Sequence, residues 1–125
     1  MLKTIDRILA VILGLGAAVG HSYGSLMAYA HQPVTLLWAL NASILGTLLA
    51  VLHFVRSLRP GDRSLAWILI PPTLFWLGSS MEFGILIGRP FDPRVLTFAV
   101  ASLGLAAFSL KTALGSAAAR ADARR

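Results

Sequence analysis

Four runs of apolar residues, separated by connectors of only a few residues, constrain this chain more than any other feature. They cover about 8–30, 34–55, 65–88 and 95–114. Each is near the roughly 20 residues a helix needs to cross the hydrocarbon core of a bilayer. Lipid offers no hydrogen-bond partners, so segments of this kind must satisfy their backbone internally, and at this length only helices do so. The runs predict an all-α integral membrane protein of four transmembrane helices, organised as one domain over 1–114 with a short basic cytoplasmic tail at 115–125.

Composition supports that class. The charged share is 13% and the hydrophobic share 57%, whereas a soluble domain carries about 25% charged residues. The net charge of +6 is no nucleic-acid signature, because the basic residues sit in connectors and tail and form no stripe. With no cysteine, disulfides, thiolate metal sites and CxxCH haem attachment are excluded. No metal site and no cofactor are expected, bound lipid apart. The first run resembles a signal peptide in having Lys3, Arg7 and the small-residue stretch Ala28-Tyr29-Ala30. At about 23 residues it exceeds an ordinary h-region, and is expected to be a spanning helix.

Basic residues set the orientation. With the N-terminus in the cytoplasm, Lys3, Arg7, Arg56, Arg59, Arg63, Lys111, Arg120, Arg124 and Arg125 lie inside, and only Arg89 and Arg94 lie outside. The reading is therefore N-in and C-in, in a membrane of the bacterial cytoplasmic type. Pro33 suits the first turn of the second helix, and Gly115 is the expected cap of the fourth. Pro71-Pro72 marks either a kink in the third segment or its true start. Trp76, near mid-membrane, is expected in the core.

Small residues recur at four-residue spacing: Gly16, Gly20 and Gly24 in the first helix, Gly46 between Ala42 and Ala50 in the second, and Gly84 between Ser80 and Gly88 in the third. Such strips let helix backbones approach closely. They predict a tightly packed bundle, and association with a protein partner or with further copies of the chain.

The candidate site rests on Glu82, a carboxylate inside an apolar span, where an ionisable side chain costs a few kcal/mol and marks a functional position by default. At about 1.5 Å per residue it lies roughly 9 Å below the outer end of its helix, and His21 some 13 Å below the outer end of the first. Asn41 and Ser102 fall at intermediate depth, and with Ser25 and Ser79 complete a candidate polar layer. Helical phase puts His21 on the small-residue side of its helix and Glu82 on a face with Gly78 and Ser79. Asn41 falls instead on a Leu37/Leu45/Leu48 stripe. Arg89, seven residues beyond Glu82, is an alternative partner that reaches down from the interface. His31 and His53 lie at other depths than His21, which argues against a bis-histidine haem within the chain.

Size and a single membrane carboxylate resemble the small multidrug resistance exporters, although their glutamate lies in the first helix, where this chain has none. Length also resembles the four-helix fluoride channels, without their polar and aromatic pattern. Both resemblances concern topology and carry no residue roles. No Ser/His/Asp set, metal-spaced ligand group or phosphate loop is present, so no enzymatic activity is expected. The expected function is a small non-catalytic subunit of a larger membrane complex or a self-associating bundle. The alternative is an oligomeric proton-linked transporter or channel working through Glu82.

Overall fold

The computed structural model describes residues 1–122, with side chains described through Gly115. Within them every regular element is a helix: α1 (Leu2–Leu15), a π-helical segment (Gly16–His21), α2 (Ser22–Tyr29), α3 (Pro33–Leu58), α4 (Arg63–Leu86) and α5 (Pro93–Asp122). The backbone stays right-handed helical through both ends of the π segment, so α1, the π segment and α2 form one rod. Three helices are long and apolar enough to cross a membrane: Pro33–Leu58, Arg63–Leu86 and Pro93–Gly115.

The local reasons for these boundaries are readable. Pro33 opens α3, where its missing N–H is no loss. Asp62 caps α4, accepting from the Leu65 N–H at 3.0 Å. At the other end of α4, Gly88 adopts φ +68°, and the Arg89 N–H reaches back to the Gly84 carbonyl at 2.9 Å. A residue with a Cβ would resist that left-handed turn. Pro71 and Pro72 lie inside α4, which runs unbroken from Arg63, so the helix does not start at the prolines. The fourth helix was expected to end at Leu114 with Gly115 as its cap. It continues to Asp122, through an alanine-rich stretch of strong helix formers. Arg124 and Arg125 of the expected tail lie outside the described residues.

Helices α4 and α5 share the most extensive interface, α1 packs on α3 and α5, and α2 packs mainly on α3. The buried apolar cluster comprises Ala10, Leu13, Leu49, Ala50, Leu69, Ala101 and Leu105, with Leu9, Leu65, Trp76 and Phe98 packed against it. Trp76 meets Phe98 edge-on, ring centroids 6.0 Å apart, a favoured aromatic geometry. The large aliphatic and aromatic side chains are mostly on the outside: Phe75 is 76% exposed and Leu45 63%, whereas Arg56 is 2% exposed and His53 fully buried. That is the reverse of a water-soluble surface.

The small-residue strips divide. Gly46 is indispensable to packing, since a Cβ there would lie 2.5 Å from the Trp76 ring and 2.9 Å from the Ala17 Cβ. Gly16 abuts Phe98, and Gly84 abuts Val95 and the Pro90 backbone. Nothing lies within 4 Å of a Cβ on Gly20 or Gly24. Beyond Gly16 the inward side of the rod belongs instead to Ala17, His21 and Ser25, also four residues apart: Ala17 and Ser25 are buried, and His21 reaches Ser43 of α3.

Candidate functional site

Polar side chains gather inside the bundle at two levels. The larger group, built from α1, α3, α4 and α5, lies toward the end of the bundle that carries the N-terminus, which is the inner end under the N-in reading. Arg56 of α3 pairs with Asp6 of α1, and its other terminal nitrogen donates to Thr112 Oγ1 of α5 at 3.3 Å. Thr112 is free to accept because its own proton goes to the Phe108 carbonyl at 3.0 Å. The ion pair is shielded, with side-chain exposures of 2% for Arg56 and 8% for Asp6.

One turn deeper on the same face of α3, His53 Nε2 lies 2.7 Å from Thr73 Oγ1 of α4. The Thr73 hydroxyl proton is committed to the Leu69 carbonyl at 2.6 Å. His53 must therefore donate through Nε2, which leaves Nδ1 facing Ser109 Oγ at 3.5 Å. Pairs three residues apart on two helices, His53/Arg56 on α3 and Ser109/Thr112 on α5, thus make a polar column. Beside its inner end is a cavity of about 250 Å³ bordered by Asp6, Arg56, Lys3 and Lys111.

The smaller group lies toward the outer end. His21 Nδ1 is 2.8 Å from Ser43 Oγ of α3, and Ser25 donates to the His21 carbonyl at 2.7 Å. His21 is the last residue of the π segment and faces α3.

The sequence-derived candidates divide among three environments. His21 and Ser25 come together, with Ser43 as a third member that the depth argument did not include. Ser102 is fully buried, and its hydroxyl has no partner among the described residues. Glu82, Ser79, Asn41 and Arg89 are all exposed. Among the described residues Glu82 makes no hydrogen bond or ion pair, so neither His21 nor Arg89 is brought to it. Asn41 lies on the exposed Leu37/Leu45/Leu48 stripe, where its helical phase had placed it.

Outside the apolar segments, Asp92 and Arg94 form a tight unit at the start of α5. The Arg94 guanidinium donates to both carboxylate oxygens at 2.9 and 2.8 Å, and its backbone N–H adds a third bond at 2.9 Å. The guanidinium bonds first, then the backbone bond, hold the Asp92 carboxyl down at about 2.

Sequence reasoning passed over Asp6, His53 and Arg56 as site residues. A usable signal existed. Under the N-in reading, Asp6 and Arg56 fall at the same depth with opposite charges, and only three residues separate His53 from Arg56. Counting charges by connector concealed this, because Arg56 belongs to α3 and not to the loop after it. Among the described residues no group of three or more His, Cys, Asp or Glu side chains is placed to hold a metal ion. No protein-family model, curated protein or solved structure matches the chain.

Proposed function

We propose that the chain is a small non-catalytic integral membrane protein. Four helices cross the bilayer with both termini in the cytoplasm, and the chain works as a subunit of a larger membrane assembly or of a complex of its own copies. The first rod supplies the fourth crossing, its helical path being continuous from Leu2 to Tyr29. The basic residues still fall overwhelmingly on one side under this topology.

One observation carries the assembly reading. In the inner half the polar side chains Asp6, His53, Arg56, Thr73 and Ser109 point into the bundle, whereas in the outer half Asn41, Ser79 and Glu82 are exposed and make no side-chain bond among the described residues. Polar and ionisable groups at membrane depth almost always face protein or a water-filled cavity. An outward-facing set therefore supports a second protein surface against α3 and α4. The open faces at Gly20 and Gly24 add room for close approach on the first rod.

The test is purification in mild detergent with native mass analysis of wild type beside an Asn41→Leu/Glu82→Leu variant. The expected result is a stoichiometric complex, with a partner or with further copies. The variant should lose it while keeping wild-type helicity and unfolding midpoint. A wild-type chain that runs as a lone monomer refutes the reading. The transport alternative draws on the same carboxylate: proton-linked flux in liposomes that vanishes in Glu82→Gln would replace the subunit reading.

A further inference from the structure

At the inner end of the bundle, the cavity between α1, α3 and α5 combines two kinds of lining. Leu2, Pro60 and Phe108 give it apolar walls, and Lys3, Lys111 and Arg56 bring positive charge. Asp6 is the acid on its border and is engaged by Arg56. That leaves Lys3 on α1 and Lys111 on α5 as the uncompensated charges, both exposed and neither in an ion pair among the described residues. The Arg56 Nε behind them is buried and has no hydrogen-bond partner among the described residues.

Two ammonium groups on separate helices, a guanidinium behind them and an apolar wall suit a compact anion carried on a hydrocarbon body. Lysine binds phosphate as a point charge, and arginine offers a planar fork of donors. In the N-in orientation this cavity lies at the level of the inner-leaflet headgroups, and basic pockets between membrane helices on that side bind anionic lipid heads.

We infer that the cavity is a phosphate-binding site, with Lys3 and Lys111 as its principal contacts. The phosphate comes from one of two sources, the headgroup of an anionic lipid or free phosphate. The lipid source rests on the membrane reading above, whereas binding of free phosphate by the detergent-solubilised chain does not.

The experiment uses the full chain in neutral detergent. One arm adds phosphatidylglycerol or phosphatidylcholine and counts retained lipid by native mass spectrometry. The other adds inorganic phosphate and follows the thermal unfolding midpoint. The expected result is one phosphatidylglycerol retained in preference to phosphatidylcholine. Binding should weaken about five-fold for Lys3→Gln or Lys111→Gln and about 30-fold for both, scaled from the usual contribution of one basic side chain at an anionic surface.

Because both lysines are exposed, the variants should unfold at the wild-type midpoint without ligand. The charge-keeping pair Lys3→Arg/Lys111→Arg should restore binding in either arm. Lysine-dependent lipid binding with phosphate silent identifies the lipid source. Lysine-dependent stabilisation by phosphate alone identifies the free anion. Equal retention of both lipids with phosphate silent overturns the site, as does a double glutamine variant that binds like wild type. A chain that needs no detergent to stay in solution would instead sink the membrane reading, a separate outcome.

Discussion

Removing the Asp6 carboxylate should be among the most damaging small changes this fold can suffer. Arg56 is 2% exposed, with one terminal nitrogen on Asp6 and the other on Thr112. Asp6→Ala leaves the guanidinium with the single 3.3 Å bond to a neutral hydroxyl. Breaking a buried pair from one side costs about 3–5 kcal/mol, chiefly because a charge is stranded. The neighbouring cavity lets water approach that end of the bundle, which places the expectation near the lower bound, about 3 kcal/mol. The double variant Asp6→Ala/Arg56→Met removes both charges and fills the arginine's path with an apolar chain, so it should recover most of the loss. Equilibrium unfolding of the four proteins in mixed micelles measures the cycle. A single variant that loses less than about 1 kcal/mol, or losses that simply add in the double, would refute the view that this pair closes the inner end.

Three further outcomes are expected. Gly46→Ala should destabilise by about 1–3 kcal/mol, because its Cβ would enter the Trp76 ring, while Gly78→Ala, with nothing within 4 Å, should be neutral or slightly stabilising; equal effects in the same unfolding assay would contradict the packing described. The Asp92 carboxyl, depressed to about 2 from an ordinary 3.8, should contribute its stability in full above pH 3.8 and lose it as pH falls through about 2. A carboxyl-carbon NMR titration of Asp92 with its midpoint near 4 in wild type, or no upward move in Arg94→Ala, would remove that unit. Impermeant thiol reagent applied to intact cells should label Pro90→Cys and spare Asp62→Cys, and the opposite pattern would invert the topology.

The architecture was largely legible because hydropathy and length act over whole segments. The four apolar runs correspond to the first rod, α3, α4 and α5, and Pro33 stands where a proline-started helix requires it. Individual side chains were less evenly legible. Asn41 was placed correctly because α3 is regular throughout. His21 likewise shares the inward side with Ala17 and Ser25, as helical phase had it, whereas Gly20 and Gly24 are open because four-residue spacing alone does not say which side of a helix meets a neighbour. The Asp6–Arg56 pair depended on a boundary, since a helix that ends three residues later takes Arg56 from a connector into the bundle. Glu82 was found by its chemistry alone, and its outward direction follows from packing that one helix's sequence does not encode.

The π segment also acts as a buffer within the first rod. It amounts to one surplus residue absorbed in a widened turn of an otherwise ordinary helix. Deleting Val19, whose side chain is 62% exposed, would let the segment relax to α-helix with nothing left to absorb. The stretch from Ser22 to Tyr29 would keep about its present azimuth, so His21 and Ser25 would still face Ser43. Straightening the segment to α-helix with every residue kept would instead turn that stretch by about 100° relative to α1, where Asp6, Ala10 and Leu13 are buried. The widened turn therefore holds two stretches of one rod in register across a residue that a regular helix could not accommodate.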